Sequence, residues 1–164
     1  MNLLNKIETA YGLLIRGASN LQSVFLLAVR VCWGWQFFQT GMGKLKDLDK
    51  VTGFFTDLGI PMPHLNAIMA GATECFGGLF LLLGLASRAT AIPLIITMVV
   101  AYATAEKELW GKLSSGPFDE FLTGFLEAAP FLFLFASLII LIFGPGKASL
   151  DQLIGYLWAK KKAN

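Results

Sequence analysis

Three ionisable residues stand inside long apolar segments of this sequence: Arg30, Glu74 and Glu127. At the centre of a membrane-spanning helix such a residue costs about 2.5 to 3.5 kcal/mol on insertion scales, so each is expected to face other helices and to have a polar partner. One arginine beside two carboxylates leaves one carboxylate in excess, an arrangement suited to a ligand site or to proton handling. The alternative is a polar clasp that only holds the helices together.

The segments that carry these charges are long enough to cross a bilayer, which takes about 20 mostly apolar residues. We predict spans at residues 22–41, 66–85, 88–105 and 121–143, with the second and third joined in a tight hairpin. The chain is 55 % hydrophobic with a mean hydropathy of +0.64, above the range of soluble domains. The sequence therefore predicts an all-α fold, a four-transmembrane-helix bundle forming a single membrane domain over residues 1–164.

Four further segments lie outside the predicted spans. Residues 1–20 repeat apolar side chains at helical spacing and lack a cleavage pattern, which predicts an N-terminal amphipathic interfacial helix and no signal peptide. Residues 44–64 predict a short interfacial helix between the first two spans, ending at Gly59-Ile-Pro-Met-Pro63. Residues 106–120 predict a loop, and residues 144–164 a cytoplasmic tail.

The distribution of lysine and arginine predicts the orientation, because cytoplasmic loops carry an excess of both. The side with both termini and the hairpin carries Lys6, Arg16, Arg88, Lys147, Lys160, Lys161 and Lys162. The other side carries Lys44, Lys46, Lys50, Lys107 and Lys112. We therefore expect both termini in the cytoplasm, and a bacterial-type cytoplasmic (inner) membrane as the location.

The depths of the charged residues predict a polar layer in the outer half of the bundle. At about 1.5 Å of rise per residue, the Cα atoms of Arg30 and Glu74 differ in height by about 6 Å, which predicts an ion pair between them. Glu127 is predicted near the level of Glu74. The layer would also include Gln36, Gln39, Thr40, Thr73 and Tyr102.

Aromatic residues of the first span indicate how a ring could bind. Trp33 and Phe37 stand near Gly34, and aromatics beside glycines can form a flat slot for a quinone or a flavin, although core packing and lipid contact explain them equally well. His64, the single histidine, is expected at the outer interface, as an acid/base group or as a solvated loop residue. Gly77-Gly78 predicts the close approach of a neighbouring helix.

Several function classes are disfavoured by composition. A net charge of +2 gives no basic field for nucleic acid. The two cysteines lack the CxxC spacing of a zinc or thioredoxin-like site, so no metal site is expected. One histidine cannot supply bis-histidine haem ligation within the chain, and no nucleotide motif is present.

The motifs together resemble the DoxX family of small four-helix membrane proteins, from about Leu21 to Asp151. They are Arg30, Gly34, Phe37, Gly41-Met-Gly-Lys44, Phe54, Gly59-Ile-Pro-Met-Pro63, Glu74-Cys-Phe-Gly77-Gly78, Gly84-Leu-Ala-Ser-Arg88 and Gly144-Pro-Gly-Lys-Ala-Ser149-Leu-Asp151. The resemblance implies a four-helix bundle and, for some members, a role as the membrane subunit of a redox system such as thiosulfate:quinone oxidoreductase. Arg30, Lys44, Glu74 and Arg88 match the family's recurrent polar residues by position.

These observations lead to one functional hypothesis and its alternatives. The hypothesis is a redox-associated membrane subunit that handles a quinone or similar apolar molecule. It would receive electrons from a partner redox protein, and if it is an enzyme it would be part of a quinone-linked oxidoreductase. Its candidate residues are Arg30, Glu74, Glu127, His64, Trp33, Phe37, Gln36, Lys44 and Tyr102. The main alternative is a non-enzymatic membrane scaffold or assembly factor, and a carrier or channel is weaker because no polar run crosses the spans. A homo-oligomer is left open by the sequence.

Overall fold

The protein is described here by a computed structural model covering residues 3–163, with side chains described for residues 7–114 and 116–162. Residues 1 and 2 of the predicted interfacial helix and Asn164 of the predicted tail lie outside this range. Within it every regular element is an α-helix, as the sequence predicts. The helices are α1 Leu3–Lys46, α2 Leu48–Asp57, α3 Pro63–Leu83, α4 Ser87–Ala105, α5 Lys107–Ser115, α6 Phe118–Glu127, α7 Pro130–Phe143 and α8 Leu150–Ala163.

Three of these helices, α1, α3 and α4, are long and apolar enough to cross a membrane. A fourth span results if the bent pair α6 and α7 is counted as one. Helices α3 and α4 correspond to the second and third predicted spans. Helix α2 corresponds to the predicted helix between the first two spans, and it ends before Gly59, as expected from the glycine and the two prolines.

The first predicted boundary is wrong, because α1 is one unbroken helix of 44 residues. The sequence predicts separate helices at 1–20 and 22–41, but no proline interrupts this segment, and isolated glycines such as Gly12 and Gly17 do not break the backbone hydrogen bonding. At about 1.5 Å per residue α1 is far longer than a hydrocarbon core of about 30 Å.

Two further predictions need correction near the other end of the bundle. Residues 106–120 are not a loop: α5 forms there, with Leu109 buried and Gly116-Pro117 ending it. The fourth predicted span is broken between α6 and α7, whose axes differ by 78°. Pro130 has no N–H to donate to the preceding turn, so it begins a new helix after extended Ala128.

The seam between α1 and α3 sets the register of the whole bundle. Gly34 on α1 faces Gly78 on α3, and Gly41 on α1 faces Gly71 on α3. On each helix the two glycines are seven residues, or two turns, apart. A Cβ on Gly34 would lie 2.9 Å from the carbonyl oxygen of Gly78, and one on Gly41 would overlap the backbone of Cys75. The close approach predicted at Gly77-Gly78 is thus confirmed, and the antiparallel helices pack backbone to backbone.

The remaining core lies beside this seam, where α4 packs against α7 and α3. Its large buried apolar side chains come from α1, α3, α4 and α7, so the four helices share one hydrophobic core. They are Leu26, Phe37, Leu81, Leu94, Met98 and Ile140. We call the end of the bundle that contains the α3–α4 turn the hairpin end, and the end that contains α2 and α5 the opposite end.

Candidate functional site

An ion pair between Lys44 and Glu74 lies toward the opposite end of the α1–α3 seam. Lys44 belongs to the last turn of α1, and its Nζ donates a hydrogen bond to Oε2 of Glu74 in the middle of α3. Glu74 is 2 % exposed, whereas Lys44 is 30 % exposed. The pair forms because Gly41 and Gly71, each one turn away, let the two backbones approach.

An apolar groove of about 390 Å³ opens beside this ion pair, a volume within the range of ligand pockets. Helices α2, α3 and α4 form its walls, with Phe54, Phe55, Leu58, Ile60, Met69, Ile96 and Val100 as the large apolar side chains. Met69, Ile96 and Val100 are also exposed on the outer surface of the bundle. The groove therefore opens sideways along the apolar faces of α3 and α4.

Three neutral polar side chains in the groove donate hydrogen bonds to nearby backbone carbonyls. The hydroxyls of Thr97 and Thr104 donate to backbone carbonyls one turn back, and Asn66 Nδ2 donates to the carbonyl of Pro61 at 2.6 Å. Among the described residues that line the groove, Lys44 and Glu74 are the charged ones. The arrangement is an apolar slot that ends at one cation and one anion.

Helix α2 packs against α3 and covers the opposite end of the groove, where two polar contacts also fix its position. Thr52 Oγ1 lies 3.2 Å from His64 Nδ1, and Lys107 Nζ donates to the carbonyl of Leu58 at 3.0 Å. His64 itself is exposed and does not line the groove. In this structure His64 contributes to the position of α2.

The predicted Arg30–Glu74 ion pair is not formed, because the glycine seam places the two residues at different levels. Arg30 lies beside the α3–α4 turn at the hairpin end, where its Nη2 donates to the carbonyl of Ala148 and its charge interacts with Asp151. It is 1 % exposed, and a Cβ on Gly84 would overlap its guanidinium. The prediction measured the height of the Arg30 Cα from the start of a separate span at residue 22, but α1 is continuous and has no helix end there.

Asp151 is a structural residue whose role the sequence analysis missed. Its Oδ1 and Oδ2 accept the N–H groups of Ala86 and Ser87 at 2.6 and 2.9 Å, and its own N–H donates to the carbonyl of Gly84. Asp151 therefore caps the start of α4 from the far end of the chain. The sequence held one indication of this role: no Asp or Asn stands immediately before α4, so the cap at its start had to come from another segment.

The predicted polar layer is not assembled either. Glu127 is the last residue of α6 and is exposed, and Gln36 is exposed on α1. Neither lines the groove beside Glu74. The bend before Pro130 changes the course of the fourth predicted span, so the height of Glu127 cannot be read from a straight helix.

The aromatic candidates pack against other aromatic side chains. Phe37 is fully buried, and the centroid of its ring lies 4.7 Å from the ring centroid of Phe133. The Phe133 ring also packs edge-on against Trp33, with 5.3 Å between the ring centroids. Tyr102, 3 % exposed, stacks on Phe125 and donates its hydroxyl to the Phe125 carbonyl at 2.7 Å. Of the candidates, the structure brings only Lys44 and Glu74 together at the groove.

The long apolar helices of this fold are those of an integral membrane protein. The DoxX family model matches residues 25–107, and the chain belongs to the DoxX family. It is 33 % identical to "Uncharacterized membrane protein Rv3486" of Mycobacterium tuberculosis (strain ATCC 25618 / H37Rv), over 77 % of this chain and 79 % of that protein. It is 30 % identical to "Putative oxidoreductase CatD" of Bacillus subtilis (strain 168), over 49 % of this chain and 58 % of that protein. No solved structure matches the chain significantly.

Proposed function

We propose that the protein is a redox-associated membrane subunit that binds a quinone, or a similar ring with carbonyl oxygens, in the groove beside Lys44 and Glu74. The observation that carries the proposal is the buried Glu74 carboxylate, paired with Lys44 at the end of a groove whose other described lining residues are uncharged and mostly apolar. Membrane-embedded ionisable residues are costly and commonly functional. The name of the Bacillus subtilis relative adds weight to an oxidoreductase role.

The residues of the groove suit such a ligand in a definite way. The Lys44 ammonium has donors to offer a carbonyl oxygen, and the phenyl rings of Phe54 and Phe55 line the same groove. A quinone takes up two electrons and two protons when it is reduced to the quinol. The Lys44–Glu74 pair holds or passes protons at Nζ and Oε2, and a partner redox protein supplies the electrons.

The membrane topology that accompanies this function has four spans. In it, α6 and α7 together form the fourth span, bent before Pro130. Residues 3–20 continue α1 beyond the hydrocarbon core at the hairpin end, α2 lies in the interface, and the hairpin end with both termini faces the cytoplasm of a bacterial inner membrane. A cysteine placed at the C-terminus should resist an impermeant thiol reagent in intact cells, and labelling there would reverse the orientation.

The test is mass spectrometry of the organic extract from full-length protein, purified in mild detergent from membranes that contain quinones. We expect a quinone at a near-stoichiometric level in the wild-type protein and a strong loss in Lys44→Met and Glu74→Gln. The matched controls are Lys46→Met, two residues further along α1, and Glu127→Gln, an exposed residue at the end of α6. Both lie outside the groove and should retain the quinone.

The outcomes separate the redox function from a scaffold function. A wild-type extract with phospholipids but no quinone would reject the proposal. If Lys44→Met and Glu74→Gln lower only thermal stability and co-purification of a partner, with no quinone in any sample, the scaffold becomes the better function. Equal quinone content in all four variants would show that the ligand binds elsewhere.

A further inference from the structure

A second cavity, of about 710 Å³, lies at the hairpin end and shares no lining residue with the groove at Glu74. Its walls come from residues 19–26 of α1, residues 86–89 at the start of α4, and residues 143–152. Helix α3 ends, α4 begins and α7 ends at this level. The cavity therefore lies where the apolar segments give way to polar chain, the depth of a lipid headgroup if these helices span the bilayer.

The charged side chains that line this cavity are two basic residues and one acidic residue, so its net charge is positive. Asp151 is the acidic residue, and both of its carboxylate oxygens already accept hydrogen bonds from backbone N–H groups. Arg88 and Lys147 also line the cavity, and neither forms an ion pair among the described residues. Arg88 Nη2 donates to the carbonyl of Ile142 at 3.2 Å, which leaves its other N–H groups available.

A buried hydroxyl without a partner supplies an independent sign of a ligand. Ser87 lines the cavity and is 0 % exposed, yet its Oγ has no hydrogen-bond partner in the described part of the chain. Buried polar groups are nearly always hydrogen-bonded, so the unmatched Ser87 hydroxyl favours a ligand that accepts hydrogen bonds.

We propose that this cavity binds a phosphate group through Arg88, Lys147 and the hydroxyl of Ser87. Phosphate oxygens accept hydrogen bonds from arginine, lysine and hydroxyl groups, and the net positive charge favours an anion. The ligand is the headgroup of an anionic phospholipid or a free phosphate, which share this chemistry. The backbone N–H groups at the start of α4 take no part, because Asp151 already occupies them.

Native mass spectrometry of the full chain in detergent tests this site directly, with phosphatidylglycerol, diacylglycerol and inorganic phosphate as separate probes. We expect phosphatidylglycerol to bind and diacylglycerol, which has no phosphate, not to bind. If inorganic phosphate displaces the lipid or binds alone, free phosphate is also a ligand. If phosphate has no effect, the lipid headgroup is the ligand, and binding of neither phosphate compound overturns the proposal.

The variants separate a built site from general attraction between charges. Arg88→Gln/Lys147→Gln should weaken binding about tenfold or more, the effect of losing charged hydrogen bonds. Lys160→Gln/Lys161→Gln removes the same charge from the C-terminal part of α8, where neither lysine lines the cavity, and should change binding less than about twofold. Equal losses in the two pairs would overturn the proposal.

Two single variants keep the test decisive if the double variant does not fold. Lys147 is exposed and Lys147→Gln leaves the hydrogen bond of Arg88 intact, so this variant should fold and still bind more weakly. Ser87→Ala should weaken binding several-fold, because the unpartnered hydroxyl is then absent. Unchanged binding in both variants would show that the cavity is not the phosphate site.

Discussion

Charged side chains lie inside the apolar bundle in two regions. One is the Lys44–Glu74 ion pair, and the other is the set of backbone hydrogen bonds made by Arg30 and Asp151 near the α3–α4 turn, which we call the Arg30–Asp151 junction. In the first, a cation and an anion contact each other directly and leave apolar space beside them. In the second, the arginine donates to a carbonyl and the aspartate accepts backbone N–H groups, so the two charges tie chain segments together. The same residue types therefore form a candidate ligand site in one region and a clamp on the backbone in the other.

The largest expected effect tests the glycine seam that separates these two regions. Gly41→Ala should lower the free energy of unfolding by about 3 kcal/mol or more, because its Cβ would overlap the backbone of Cys75 and only a shift of α1 can relieve the overlap. Gly43→Ala is the control: nothing lies within 4 Å of its Cβ, and it should be neutral or slightly stabilising. Unfolding in mixed micelles measures both, and equal stability of the two variants would refute the seam.

The next effect tests the Arg30–Asp151 junction. Asp151→Ala should cost about 2 to 3 kcal/mol, because it leaves the N–H groups of Ala86 and Ser87 without their acceptors. Asp151→Asn keeps one acceptor oxygen and should lose less. The same unfolding assay measures both variants, and a wild-type value for Asp151→Ala would show that the cap is dispensable.

The Lys44–Glu74 pair should couple in a double-mutant cycle. Lys44→Met alone should cost about 2 kcal/mol, because it leaves the Glu74 carboxylate buried without a partner. In the double variant Lys44→Met/Glu74→Gln that carboxylate is absent. The stability lost by the double variant should therefore be smaller than the sum of the losses of the two single variants, by about 1 kcal/mol or more. Strict additivity in thermal or micellar unfolding would mean that the two side chains do not interact.

Tyr102→Phe tests the connection between α4 and the bent pair α6–α7. The change keeps the stack on Phe125 but removes the hydroxyl that donates to its carbonyl, at an expected cost of about 1 kcal/mol. Tyr156→Phe on exposed α8 should have no measurable effect. If the two variants unfold alike, the Tyr102 hydroxyl does not stabilise this connection.

The smallest effect is expected at His64. His64→Gln should change stability by less than about 0.5 kcal/mol, because the side chain is exposed and makes one surface contact, with Thr52. Quinone retention should also stay at the wild-type level, since His64 does not line the groove. Loss of quinone in this variant would make His64 part of the site.

The sequence was a reliable guide wherever local chemistry decides the structure. Apolar length gave α3 and α4, and the two prolines after Gly59 correctly marked the end of α2. Local rules also failed at recognisable points. The amphipathic pattern of residues 1–20 did not reveal that α1 continues without a break, and Pro130 was the available signal for the bend in the fourth predicted span.

The sequence by itself determined that this is a helical membrane protein of the DoxX family and that Glu74 is a costly buried charge, because hydropathy and motifs are properties of single segments. Only the tertiary structure decided which partner Glu74 has. The register of α3 against α1 depends on glycine contacts between helices, and another register would bring a different residue of α1 beside Glu74, such as Arg30, about four turns before Lys44. Such a shift leaves the hydropathy of each helix unchanged, so no single segment could reveal it.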